Sequence, residues 1–393
     1  MNIQDSSITD NFSLVIGGPF YKALRSTRLA DEFGADIRRR IAAFLALTWL
    51  PLVVLSAAEG TALGNKVKIP LLHDFSIYGR FLVALPLLIA AEAVIDPFIG
   101  RVVSTFNSSG IIRENDLPAY HAALEKIARL RDSALSELLL AFLAFVPFFL
   151  VADYEWVSNQ VTVWHGATSL GLRPAGWWFV FVSSPVLRFL MLRWLWRYVL
   201  WSYLLRSVAK LNLDMMPTHP DLLGGLGFVP YAQRQFGILA AAMGSVIAGQ
   251  FGNSIAYFGE RFVAARVSIV VFVIIAVLAV LLPLTLLSPK LMEVRRSGLA
   301  RYSQVARRLT GSFDAKWVQT VDSPPDSMLG SPDPSSLIDY ISSFFVVRDM
   351  QVIPISKYLV IQVVAQAAAP FALLWIFATP LEEIIGEILK KLL

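Results

Sequence analysis

Val267–Ser288 reads VSIVVFVIIAVLAVLLPLTLLS, twenty-two residues without a single charge. A run of roughly 20 apolar residues crosses the hydrocarbon core of a bilayer as one helix. The lone proline, Pro283, marks a kink rather than a stop. Comparable runs lie on both sides of it. With the span around this stretch placed at Arg266–Leu287, the others fall at about Ile41–Ala58, Phe75–Pro97, Ala134–Ala152, Gly176–Leu200, Phe236–Phe258 and Tyr358–Thr379. In lipid the backbone must satisfy its own hydrogen bonds, so each span is a helix. The expected fold is all-α: a polytopic membrane helix bundle of about seven spans with cytoplasmic helical extensions.

The composition agrees. Hydrophobic residues make up 56% of the chain and charged residues 16%, against about a quarter charged in soluble domains. The absence of cysteine excludes disulfides, thiolate zinc sites and thiol catalysis. The N-terminus lacks the short apolar core and small-residue cleavage site of a signal peptide. The net charge of +5 fits cationic residues gathered on one side of a membrane better than a nucleic-acid surface. Most of the 34 Lys and Arg residues fall before the first span, in 98–133, in 202–235 and in 289–357. The positive-inside rule then places the N-terminus inside, and an odd number of spans puts the C-terminus outside.

This divides the chain into four parts. Residues 1–40 form a cytoplasmic N-terminal helical segment. Residues 41–290 form the transmembrane bundle of spans one to six, with a cytoplasmic helical hairpin at 98–133. Residues 291–357 form a cytoplasmic helix and a Pro/Ser-rich linker, DSPPDSMLGSPDPSS. Residues 358–393 form span seven and an amphipathic tail, PLEEIIGEILKKLL, whose Leu381, Ile384, Ile385, Ile388 and Leu392 share a face suited to the outer interface. The stretch DLPAYHAALEKIARLRDS predicts a helix with Asp116 as its cap and Pro118 in its first turn.

Ionisable residues within spans are costly and therefore candidates for function. Glu92 and Asp96 are four apart on span two and share a face. Glu137 begins span three, beside Arg131 and Asp132. Span four carries Arg188, Arg193 and Arg197, the last two on one face at the depth of the three carboxylates. An inner-leaflet ion-pair network is expected from these six. It is either a lock between helices or a gate on an ion path. Spacings of five and four exclude the every-third-residue pattern of a voltage sensor.

Span five carries small residues at intervals of four: Gly237, Ala241, Ser245, Gly249 and Asn253. Such a stripe lets helices approach closely, within one chain or between copies, and a homo-oligomer is one expectation. With Gln250, and with Gln362 and Gln366 of span seven, the same residues read alternatively as a pore wall.

Between spans four and five lies THPDLLGGLGFVP, Thr218–Pro230. Gly224, Gly225 and Gly227 permit backbone conformations closed to other residues, and Asp221 is suited to accepting nearby backbone N–H groups. A constrained turn is expected, with His219 and Asp221 as its only candidates for proton chemistry. GGLG lacks the Lys-Ser/Thr of a phosphate loop. His73, His121 and His165 are isolated, and no catalytic, metal or cofactor motif is present, so no cofactor is expected.

The strings RFLVALPLLIAAEAVID, RLRDS, THPDLLGGLGF, FDAKW, LGSPDPSSLIDYISSFFVVRDM and PLEEIIGEILKKLL resemble those of a family of bacterial multi-pass membrane proteins of uncharacterised activity. The resemblance implies a bacterial inner-membrane protein and carries over no catalytic residue. Three readings stand side by side. One is a channel or transporter for a small ion or solute. Another is a scaffold or sensor engaging a cytoplasmic protein partner. The third is a lipid-active membrane enzyme, with Glu92, Asp96, His219 and Asp221 as candidates.

Overall fold

The computed structural model describes residues 12–29, 37–155, 162–168, 171–260, 262–319, 328 and 330–378. The amphipathic tail from Pro380 onward and residues 322–327 and 329 of the Pro/Ser-rich linker lie outside the described residues. The described chain is all-α apart from a two-residue antiparallel pairing of Ala167–Thr168 with Gly171–Leu172 and isolated bridges between Ile69 and Val163 and between Ile112 and Leu213.

In chain order the helices are α1 (Gly18–Ser26), α2 (Ile37–Glu59), α3 (Phe75–Ser108), α4 (Leu117–Arg131), α5 (Ala134–Glu155), α6 (Pro174–Val208) and α7 (Phe228–Phe258). There follow α8 (Phe262–Leu281), α9 (Ser288–Phe313), α10 (Asp333–Asp349) and α11 (Lys357–Ala378). Among the described residues, five helical stretches are long and apolar enough to cross a membrane: α2, α3, α6, α7, and the continuous run Phe262–Val318 that holds α8 and α9. By helix length and hydropathy this is a multi-pass membrane protein. Seven crossings were expected; the runs read as spans three and seven form α5 and α11, each 22 residues long, outside those five.

Local chemistry sets the helix ends. Gly60 closes α2 and Gly259 closes α7, both in the left-handed conformation that favours glycine. Asp74 opens α3, its carboxylate accepting the backbone N–H of Ser76. Asp116 precedes α4 as expected, but its side chain makes no cap bond. It accepts the N–H of Asn212 at 2.8 Å instead, tying the start of α4 to the far end of α6.

Most of α8 faces outward as bare hydrocarbon: Val263, Val267, Val270, Ile274 and Leu278 are all exposed. In lipid such a surface costs nothing, and helix association depends instead on close packing and interhelical hydrogen bonds. Those bonds centre on α6. Trp194 Nε1 donates to Leu88 O of α3 at 2.8 Å. Trp201 Nε1 donates to Gln233 Oε1 of α7 at 2.6 Å, and Gln233 in turn donates to Val280 O of α8. These bonds fix the registers of α3, α6, α7 and α8. The α9 part of the Phe262–Val318 run packs with α10 as a hairpin, with Tyr340 donating to Tyr302 O and Lys316 paired to Asp333 at 2.8 Å.

Candidate functional site

The helix α3 carries one buried acidic centre near its middle, and a second caps its start. Near the middle is Glu92, with Asp96 one turn further along. Trp194 on Leu88 fixes how α6 lies along α3, so Arg193 and Arg197, one turn apart, both face Glu92. Arg197 Nη1 lies 2.9 Å from Glu92 Oε1 and Arg193 Nη1 lies 3.9 Å from it. Arg40, at the start of α2, pairs with the other oxygen, Oε2. Arg193 also reaches Glu137 of α5 at 3.5 Å. Exposure is 3% at Arg40, 9% at Glu92, 6% at Arg193 and 4% at Arg197, so these charges are out of solvent. Burying each costs several kcal/mol, recovered only by pairing and hydrogen bonding. Arg197 Nη2 is buried without a hydrogen-bond partner among the described residues.

A segment ahead of the first long helix completes the cluster. Asp96 accepts the Ser13 hydroxyl at 2.6 Å and the Leu14 backbone N–H at 2.8 Å. Glu137 Oε2 accepts the Phe20 backbone N–H at 2.6 Å. The Phe20 ring lies under the Arg193 guanidinium, 4.4 Å from it, and Arg131 donates to Ser13 O while gripping Asp132 with two further N–H groups. Three arginines (Arg40, Arg193, Arg197) thus gather with three carboxylates (Glu92, Asp96, Glu137) from α2, α3, α5 and α6. Of the six residues expected in the network, the structure unites five. Arg188 is half-buried and is not one of the arginines on Glu92 or Glu137. Arg40, Ser13 and Phe20 were not anticipated.

At the start of α3 is Asp74, 4% exposed and also not anticipated. Its carboxylate accepts Ser76 N–H at 2.9 Å, Ser76 Oγ at 2.6 Å, Asn253 Nδ2 at 2.7 Å and Trp164 Nε1 at 2.8 Å. Asn253 Oδ1 in turn accepts the Phe75 N–H at 2.9 Å. None of these donors is a cation.

This knot accounts for much of the small-residue stripe. Ser245 Oγ donates to Gly79 O at 3.2 Å. A Cβ on Gly249 would stand 2.6 Å from Phe75 O. Gly237 packs directly against Gln366 of α11. The stripe therefore meets α3 and α11 of its own chain and supplies no argument for an oligomer. The amides do not share one space. Gln250 is exposed, Gln362 donates to the Tyr358 hydroxyl, and Gln366 meets Gly237, about 24 Å along α7 from Asn253 at 1.5 Å per residue. Ser245 and Gly249 border a furrow of about 620 Å3 whose other lining is apolar apart from Tyr78.

The loop after α6 is the constrained turn expected of it. Asp221 accepts the backbone N–H groups of Leu223 (2.8 Å), Gly225 (3.1 Å) and Gly227 (2.8 Å), with the His219 ring 2.8 Å away. Burial pushes the Asp221 carboxyl up, but the three backbone donors and His219 together hold it below the usual carboxylate range. Gly224 and Gly225 have φ of 65° and 98°. Leu222 O accepts Gln351 N–H, and Pro217 lies against Gly298 of α9, so the loop joins the bundle to the α9–α10 hairpin. It does not approach Glu92 through any of these bonds. Among the described residues no three His, Asp or Glu side chains gather as metal ligands.

Comparison with protein families, with curated proteins and with solved structures finds no match to this chain. The class is therefore defined by the fold and the site alone: a polytopic helical membrane protein with a buried ion-pair cluster.

Proposed function

We propose that the chain is a conduit, a channel or transporter for a small ion or solute, and that the Glu92 cluster is its inner gate. On this reading α5 and α11 also cross, giving seven spans. At 1.5 Å per residue their 22 residues reach about 33 Å, enough for a core of about 30 Å. The concentration of Lys and Arg before the first span and in 98–133, which follows Glu92 and Asp96, supports an inner, cytoplasmic placement for that side of the bundle and for the N-terminus. The sequence resemblance points to the bacterial inner membrane.

One observation carries the proposal: six ionisable side chains converge in a part of the bundle where apolar packing would serve stability as well or better. Buried charge in membrane helices marks ion and proton pathways. Arg197 Nη2, without a hydrogen-bond partner among the described residues, leaves the pairing open to rearrangement. The cluster is closed as it stands, and the apolar furrow beside Ser245 and Gly249 has none of its residues in the lining.

The test is flux through purified protein in liposomes. Arg193→Gln removes the cation that joins Glu92 to Glu137 and is expected to raise flux; Glu92→Gln is expected to alter its ion dependence. Tight vesicles under every gradient, for the native chain and both variants, overturn the conduit.

A second reading has its own observation. Ile338, Ile341 and Phe345 form an exposed apolar stripe on α10, turned away from the Tyr340 and Val347 side that meets α9. That surface supports a scaffold engaging a protein partner.

A further inference from the structure

We infer that residues Phe12–Leu29 are a latch over the inner gate, a strap that closes the cluster by binding it and must lift for the cluster to be reached. The inference rests on the conduit reading for its meaning, and on independent geometry for its existence. Phe12, Ser13, Leu14 and Val15 are buried although they belong to no helix. Their hold is polar and specific: Ser13 and Leu14 on Asp96, and the Phe20 N–H on Glu137.

The strap turns at Gly17 and Gly18, with φ of 142° and 81°, conformations that L side chains rarely adopt. The turn also needs the missing side chains for space. A Cβ on Gly17 would collide with Asp132 and one on Gly18 would stand 2.8 Å from Glu137 Oε1. The pair thus brings the strap's backbone directly onto the charged groups.

Strap and cluster share atoms, and that makes this a latch rather than a cover. Glu137 gives one oxygen to Phe20 N–H and the other to Arg193. Arg193 gives one face to the Phe20 ring. Lifting the strap strips Asp96 of two donors, frees half of Glu137 and uncovers Arg193, so seating of the strap and pairing of the cluster are coupled. Each strap bond is one that water can replace at modest net cost.

The chain has no cysteine, which allows a direct test on the full-length protein. Val15→Cys places a thiol in the buried strap, and Ser108→Cys places an exposed reference on α3. A water-soluble maleimide is expected to label Val15→Cys at least about tenfold more slowly than Ser108→Cys. Adding Asp96→Asn, which removes the charge that Ser13 and Leu14 grip, is expected to speed Val15→Cys labelling about tenfold, the effect of losing one charge-assisted bond. Adding Phe20→Ala should do the same without touching a carboxylate, so one misfolded variant does not decide the matter. Equal rates for Val15→Cys and Ser108→Cys, or no acceleration in either folded double variant, overturn the latch. The same proteins in liposomes separate the two ideas. Faster labelling with faster flux supports both, whereas faster labelling in vesicles that stay tight leaves the latch standing and defeats the conduit.

Discussion

Glu92 and Asp74 sit on one helix, both buried, and are held in opposite ways. Asp74 is surrounded by neutral donors, two of them from Ser76 at the start of its own helix. It behaves as a cap extended sideways to Trp164 and Asn253. Two of its bonds are local, to Ser76, and those from Trp164 and Asn253 come from distant parts of the chain, the latter fixing the start of α3 against α7. Glu92 is held by three guanidiniums from two other helices, and the cluster is completed by a strap that starts some eighty residues earlier in the chain. Neutral donors that satisfy a carboxylate leave it nothing to exchange. A cluster of like-charged arginines around one glutamate can be re-paired. The first arrangement builds rigidity and the second permits switching.

The sharpest way to break this contrast is to neutralise each acid in turn. Glu92→Gln takes the shared carboxylate from three buried arginines, of which Arg193 keeps Glu137, and removing one partner of a buried ion pair costs about 3–5 kcal/mol. Asp74→Asn keeps an acceptor for Ser76 and Asn253 but points an amide N–H at Trp164, costing about 1–3 kcal/mol. Thermal unfolding in detergent should therefore rank native, Asp74→Asn, Glu92→Gln in falling stability. Equal losses would mean that the two centres are held alike and the contrast is empty.

Legibility in the sequence followed the same divide. Glu92, Asp96, Glu137, Arg193 and Arg197 stood out because each interrupts or borders an apolar run, and the four-residue spacing put the pairs on common faces. Arg40 did not, because as the third arginine of Arg38–Arg40 it reads as one more interfacial charge. The strap was invisible for a stronger reason. It binds largely through backbone N–H and C=O groups, and every residue has those. Asp74 was available in principle: an aspartate immediately before an apolar run is a helix-start signal, and Ser76 two residues on fits an Asx turn. Asp116 shows the limit of that signal, since it stands at a helix start and serves Asn212. The membrane helices themselves were legible because lipid demands long apolar runs. Whether the runs at Ala134 and Tyr358 complete a crossing depends on residues at their ends, where sequence boundaries are softest.

The rigid side of the contrast is tested next by crowding it. Gly249→Val puts a branched side chain where even a Cβ would stand 2.6 Å from Phe75 O. Overpacking of this kind costs about 1–3 kcal/mol, and it should loosen the Asp74 centre while leaving Val15→Cys labelling at the Glu92 cluster unchanged. Accelerated labelling would show that the two centres move together and that α3 is not a fixed post between them.

The smallest expected effect lies outside the bundle, in a loop that shares the logic of Asp74. Asp221 also binds neutral backbone donors, and its carboxyl is held below the usual range in the folded protein. A carboxylate with a depressed folded-state pKa adds stability above its unfolded value, about 3.9. That stability is lost as the pH falls through the folded value, because the unfolded chain then takes up protons first. Asp221→Asn cannot ionise and lacks the contribution throughout. The gap in unfolding temperature between native and Asp221→Asn should therefore be constant near neutrality and narrow progressively below about pH 4. Because all other carboxylates titrate equally in both proteins, the narrowing isolates this one. A gap that persists unchanged to pH 3 would mean that Asp221 holds the loop by shape alone, and that its three backbone bonds do not depend on its charge.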